Sequence, residues 1–269
     1  MQYFCIFIRR KKLRFSICNN FMIQKKKLFK FLFENIQTLL FALLIAILIR
    51  SLIIQPFYIP SSSMEPTLLV GDRIFVTKYS YGYSKHSFPF SPNISNKRFF
   101  SKKPKQGDLV VFKTPADNRT DYIKRLIGLP GDEIQFKNGN LYLNGKAIIR
   151  KEYKISEPIR CGNFIMETNT FIETLPNGVK YLAAYNMSGT LQNTQKYKVP
   201  KDHYFLMGDN RDCSKDSRFL NEVGYIKKLN LVGEAKIIFF SNDTKKGSLL
   251  KLWNLHNSFR IKRTFKKLK

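Results

Sequence analysis

Three short segments carry residue types that can do chemistry. The first is Pro60-Ser61-Ser62-Ser63-Met64-Glu65-Pro66-Thr67-Leu68, three hydroxyls between two prolines with apolar residues interleaved. A serine hydroxyl becomes a nucleophile only beside a base, so this segment needs a partner. The second is Asp121 to Asp132, a strand-like run in which alternation puts Tyr122, Lys124 and Leu126 on one face. A lysine on an apolar face loses proton affinity through desolvation, which is how an amine becomes a base near neutral pH. A shift from ~10.4 to near 7 amounts to roughly 4.6 kcal/mol. The third is Met207-Gly208-Asp209-Asn210-Arg211-Asp212-Cys213-Ser214-Lys215-Asp216-Ser217-Arg218, a polar cluster directly after the apolar Tyr204-Phe205-Leu206.

Each segment has a plain structural alternative: a Ser-Pro linker, a snorkelling or paired lysine, and a solvated turn. A calcium loop in the third segment is disfavoured, because Arg211, Lys215 and Arg218 interrupt the acids and EF-hand spacing is absent. A Ser–His–Asp triad has only His86, His203 and His256 to draw on, none in a recognisable motif. Gly139 to Gly145-Lys146 is one residue too long for a phosphate loop, and Ala147 stands where Ser or Thr is needed. No metal site and no cofactor are expected. The four cysteines (Cys5, Cys18, Cys161, Cys213) include no C-x-x-C pair and are too few for a disulfide scaffold.

The elements that must position these segments follow from the hydropathy pattern. Of the 19 residues from Ile36 to Ile54, 15 are apolar, enough for a membrane-spanning helix. Arg50 near its end can snorkel to the interface, and Pro56 is expected to stop the helix. No A-x-A-like cleavage site follows, so the span is read as an uncleaved signal anchor. Nine basic and no acidic residues in 1–30 predict a cytoplasmic N-terminus, with everything after Ile54 exported. Met22, just before Lys25-Lys26-Lys27, is an alternative start.

Beyond Pro56 the pattern is β-rich: 73–77, 109–113, 122–127, 133–136, 141–143, 203–207 and 233–240 read as strands separated by Gly, Pro and Asn-Gly turns. Asn138-Gly139 marks a hairpin, and Tyr83 to Lys105 reads as a surface loop. The chain has 269 residues and a formal net charge of +28, with nine basic and no acidic residues in 244–269 as well. Charge concentrated at both ends favours anionic lipid contact over a continuous nucleic-acid groove.

Taken together and in order, Ser63–Leu68, Gly71-Asp72, Tyr122–Arg125 and Gly208–Arg218 resemble the boxes of the type I signal peptidases, as does Glu173–Gly178. The resemblance spans roughly residues 36–240. It implies a mainly β fold: a signal-peptidase-type antiparallel β catalytic domain with a smaller inserted β domain, preceded by one N-terminal transmembrane helix. The expected organisation is a basic cytoplasmic segment 1–35, the anchor 36–54, catalytic core 55–136 and 204–243, an inserted β domain 137–203, and a basic tail 244–269. It implies a membrane-anchored serine endopeptidase of the bacterial inner membrane that cuts signal peptides from exported preproteins after Ala-x-Ala, functional as a monomer.

The same resemblance implies the site. Ser63 is the nucleophile and Lys124 the general base; Ser61 and the Ser63 N–H form the oxyanion hole. Ser214 orients the Lys124 amine, with Asp216 and Arg218 paired in support. Phe57, Ile59, Pro60, Met64, Leu68, Tyr122 and Ile123 line shallow apolar subsites. Arg125 is expected on the opposite face from Lys124, and Ser62 is expected to point away. The tail with Trp253 and Phe259–Lys267 is a candidate for anionic headgroups. The sequence departs from the family pattern at Cys213, where Asn is usual, at Phe219-Leu220-Asn221, and in having one span before the boxes. Two other readings share some features: a nucleic-acid binder, suggested by net charge alone, and a catalytically dead tethered peptide binder, which the intact Ser63, Lys124 and Ser214 set opposes.

Overall fold

The computed structural model describes residues 2–268, apart from Ile94, Asn163, Met187, Ser188, Thr190, Leu191 and 244–257; for 2–25, Leu28, Ser156 and Glu157 only the backbone is described. The chain divides into two units, Met1–Leu48 and Ile49–Lys269. A single helix, α1 (Gln2–Leu52), opens the chain. Its stretch Phe29–Leu52 is long and apolar enough to cross a bilayer. Residues such as Leu39 and Phe41 lie more than 60% exposed, so the apolar stripe runs all round rather than facing a core. The helix ends at Leu52, before Pro56. Pro56 instead sits inside β1 (Ile54–Tyr58), paired with Phe75 on an edge strand, where a missing N–H is tolerated.

The second unit is antiparallel β. Its strands are β1, β2 (Asp72–Thr77), β3 (Leu109–Lys113), β4 (Asp121–Gly128), β5 (Glu133–Lys137), β6 (Asn140–Leu143), β7 (Lys146–Ala147), β8 (Ile149–Cys161), β9 (Phe164–Thr174), β10 (Lys180–Asn186), β11 (Tyr197–Lys198), β12 (His203–Met207), β13 (Ile226–Lys227), β14 (Leu231–Ser241) and β15 (Lys266–Lys267). The large sheet runs β1-β2-β14-β3-β4-β12-β13, with β15 also on β14. Two smaller sheets, β10-β9-β8 and β11-β5-β6-β7, come from residues 133–198. Their core is continuous with the large sheet: Ile134, Leu141 and Tyr181 cluster with Phe205 and Met207 of β12. Asn138 and Gly139 both take positive φ between β5 and β6, the two-residue hairpin expected from the dipeptide.

Two segments are more ordered than their composition indicates. Residues 83–105 are anchored by Arg98, whose guanidinium donates to the Gly82, Lys228, Leu229 and Leu231 carbonyls. Within the basic C-terminal region, Trp253 and His256 lie outside the described residues. Phe259 to Lys267 folds onto the large sheet: Arg263 pairs with Asp72 at 2.6 Å and β15 pairs with β14.

Candidate active site

The serine-rich segment is a chain of turns between β1 and β2, where Glu65 N–H donates to Ser62 O and Leu68 N–H to Met64 O. Met64 and Leu68 are fully buried and pin the turn to the core around Ile74 and Val76. Ser63 is thereby held at the surface of that core. Lys124 arrives from β4, 61 residues later, with Nζ 2.6 Å from Ser63 Oγ. The amine is almost fully buried, and burial pulls its pKa down to about 8 against the opposing pull of Asp216 and Asp209. Tyr122 presents its ring 5.4 Å from Nζ. A weakly basic amine against a hydroxyl can take that hydroxyl's proton, which is the arrangement nucleophilic catalysis needs.

The polar cluster 208–218 holds three buried ion pairs, one of which ties these two segments together. Asp209 receives Arg125 Nε and Nη2, each at 2.8 Å, and Thr67 Oγ1 at 2.5 Å, so one carboxylate joins the nucleophile turn to β4. Arg125 thus points away from Lys124, as strand alternation predicts. Arg218 grips Asp216 through two contacts of 2.8 Å; this pair overcomes the burial penalty and holds the Asp216 carboxyl below its usual range. Arg211 binds Glu173, whose two oxygens also accept from Tyr181 and Tyr185. Asn210 adds a backbone donor to Ser63 O at 3.1 Å and a side-chain donor to Ser62 O at 3.2 Å.

Ser214 Oγ is buried beside Asp216, whose carboxyl it helps to hold below the usual range, and it makes no bond to the Lys124 amine. It crowds Gly208, where a Cβ would lie 2.2 Å from Ser214 Oγ and 2.5 Å from Ser63 O. Only glycine fits there. Ser61 is exposed, with Oγ 3.4 Å from Ser63 Oγ. The Ser63 N–H donates to no acceptor among the described residues. Ser62 turns inward, 95% buried, with its hydroxyl 3.7 Å from Cys213 Sγ.

An open cleft of about 400 Å³ runs past Ser63 and Lys124. Phe57, Ile59, Pro60, Met64, Tyr122 and Ile123 line it, together with Ile74 and Val111, which sequence reasoning did not select. Leu68 does not reach it and belongs to the core. His86 and His203 are not among its lining residues, and His203 is tied to the Lys201 carbonyl.

Sequence reading also missed four contributors. Arg125 and Asp209 were visible only as charges in a motif, and the Glu173–Arg211 pair spans 38 residues. The fourth is a disulfide between Cys161, at the end of β8, and Cys213 in the cleft wall. The spacing of 52 residues left the redox state of these two cysteines open in the sequence, and the fold brings them together as a single cross-link.

Comparison with known proteins identifies the family. The family model described as signal peptidase, peptidase S26, matches residues 32–240. Signal peptidase I of Rickettsia typhi is 41% identical over 251 residues, covering 85% of this chain and 90% of that protein. Signal peptidase I of Rickettsia prowazekii is 40% identical over 250 residues, with the same coverage of 85% and 90%. Among solved structures, a signal peptidase I from Enterococcus faecalis is 27% identical, covers 49% of this chain and 97% of its own, and has a TM-score of 0.29. With a β fold behind an apolar helix suited to a membrane anchor, and a family match over more than three-quarters of its length, this chain belongs to the signal peptidase family, peptidase S26.

Proposed function

We propose that this chain removes signal peptides from exported preproteins, cutting after small residues in an Ala-x-Ala pattern, with Ser63 as nucleophile and Lys124 as general base. The observation that carries the reading is the 2.6 Å approach of the buried Lys124 amine to Ser63 Oγ at the wall of an apolar cleft. In the first half-reaction the neutral amine takes the Ser63 proton as Oγ attacks the scissile carbonyl. The resulting ammonium then returns that proton to the departing amine, leaving an acyl-enzyme ester on Ser63. In the second half, Lys124 takes a proton from water, the hydroxide adds to the ester, and the serine leaves with the proton returned.

The Ser63 N–H and the Ser61 hydroxyl are the donors offered to the oxyanion. Ser214, buried beside Asp216, is the hydroxyl we assign to orienting the amine once substrate is bound, with Asp216 and Arg218 bracing its loop. The substrate lies extended between residues 57–61 and 120–124, and the shallow walls from Ile59, Met64 and Ile123 admit small side chains only. The helix through Phe29–Leu52 anchors the protein in the inner membrane with its N-terminus cytoplasmic, and Ser63 follows the span by eleven residues.

The test is cleavage of a preprotein carrying Ala-x-Ala by the detergent-solubilised full chain. Wild type should release the signal peptide at that point and Ser63→Ala should not. Equal cleavage by both would overturn the assignment of the nucleophile.

A further inference from the structure

A second cavity, of about 450 Å³, adjoins the cleft and shares Asp121 with it. Arg50, His86, Phe88, Phe90, Lys113 and Arg119 are in its wall, and Asp121 is the one acidic residue lining it. Lys113 already holds Asp121, at 2.8 Å. Arg50 and Arg119 have no carboxylate within ion-pair distance among the described residues. The surroundings add more positive charge. Lys78 is 1% exposed and likewise lacks an ion pair; burial lowers its pKa to about 8, with Lys113, Arg50 and Arg98 pushing the same way against Asp121. Arg98 donates to carbonyls and to the Ser84 hydroxyl, not to an acid.

Arg50 and Arg119 are themselves exposed and solvated, and with one acid among these cations the hollow carries a positive field that favours an anion. His86 points to the same conclusion. It is 96% buried, Nδ1 lies 3.0 Å from Ser91 Oγ, and Nε2 is buried with no partner. Burial, reinforced by Lys85, Lys113, Arg98 and Lys78, keeps this ring neutral down to about pH 4. In the tautomer whose Nδ1 accepts from Ser91, Nε2–H is an uncommitted donor.

We propose that this cavity binds a phosphate-type anion, the headgroup phosphate of a membrane glycerophospholipid. Two guanidiniums present the paired donors that phosphate oxygens match. The source follows from position in the chain. Arg50 lies within the apolar stretch Phe29–Leu52 and Gln55, also in the wall, follows its end by three residues. Two wall residues thus stand in sequence where the span ends, the point at which a helix meets the headgroups. Its rim fits the same ligand: Phe88 is 39% exposed and Phe90 fully exposed, apolar rings beside a cationic hollow. The site is separate from the basic C-terminal segment and does not depend on the dyad.

Calorimetric titration of the full chain in a neutral detergent tests this, with dihexanoyl phosphatidylglycerol and inorganic phosphate as separate probes. The lipid should bind saturably. Arg119→Gln, an exposed position that leaves the fold intact, should weaken it about five- to tenfold, and Arg50→Gln by a similar factor. Lys262→Gln, a remote exposed cation, should leave it unchanged. Phosphate binding without lipid binding would overturn the headgroup as the source. Lipid binding that ignores both arginine substitutions, or no binding of either probe, would overturn the site.

Discussion

Lys124 and Lys78 are two lysines in one sheet system with almost the same electrostatic condition. Each is at least 96% exposed to protein rather than water, and in each case burial brings the pKa to about 8. Their neighbours differ. Lys124 faces Ser63 Oγ across 2.6 Å beside an open apolar cleft, and three buried ion pairs brace the segments around it. Lys78 follows β2 among Arg50, Arg98 and Lys113, with no hydroxyl nucleophile in reach and no ion pair among the described residues. A depressed pKa makes an amine available as a base. What makes it a catalyst is a hydroxyl at bonding distance and a place for substrate.

The largest expected effect breaks the comparison if it fails. Lys124→Ala and Lys124→Arg should each lower kcat by roughly 10⁴–10⁶-fold, since a guanidinium cannot act as a base. Lys78→Met should leave kcat within about twofold of wild type, as for a position away from the reacting groups. Peptide-cleavage kinetics on the three variants decide it; a near-normal Lys124→Arg would remove the general base. In the wild type, kcat/KM should rise through pH 7 and level off above about 8, as the Lys124 amine loses its proton.

The next effect concerns the donors around Ser63. Ser61→Ala should lower kcat by about 10²–10³ with little change in KM, a loss of roughly 2.7–4 kcal/mol in the transition state. Ser62→Ala was expected from the sequence to be nearly silent. Its buried hydroxyl beside Cys213 shifts that expectation to a small loss of stability with kcat retained. Parallel steady-state kinetics and thermal melts separate the two, and equal kcat losses would leave backbone groups as the oxyanion donors.

A smaller effect sharpens the Lys78 side. Its folded pKa lies below the unfolded value, so the unfolded chain binds more protons between about pH 8 and 10.5. Stability should therefore rise with pH across that window, and below about 8 the burial penalty is felt in full. Lys78→Met should stabilise the protein at pH 7 by up to roughly 3 kcal/mol and flatten part of the rise. Denaturant titrations at pH 7 and 10 measure both; a destabilised Lys78→Met would mean that the amine is better compensated than its neighbours indicate.

The last test concerns the cross-link. Cys161→Ser frees the β8–β9 hairpin from the cleft wall at Cys213. We expect stability to fall by about 2–4 kcal/mol and kcat to fall by less than about tenfold, because Ser63 and Lys124 are held by the ion pairs and not by the disulfide. A loss of kcat as large as that of Lys124→Ala would place the hairpin in the catalytic geometry itself.

Much of this was legible in the residues. The strand segments 109–113 and 203–207 coincide with β3 and β12, and the Asn138-Gly139 turn joins β5 to β6 as expected. The long strands β8, β9 and β10 were not read, because they mix charged and apolar residues and their exposed positions erase the alternation. The helix boundary at Leu52 was missed because tertiary pairing of β1 with β2 competes with helical propensity for Ile54.

The sequence by itself determined the apolar run and the local strand alternation and offered Ser63 and Lys124 as candidates, since each depends on residues adjacent in the chain or on motif chemistry. Only the tertiary structure decided which distant groups meet: Ser63 with Lys124, Asp209 with both Thr67 and Arg125, Glu173 with Arg211, Cys161 with Cys213. It also decided that Leu68 supports the core instead of the cleft, and that Lys78 is buried with no ion pair among the described residues. The reason is physical. Local periodicity is set by backbone geometry, whereas a contact across tens of residues is selected by the summed packing and register of the whole sheet, which no short window contains.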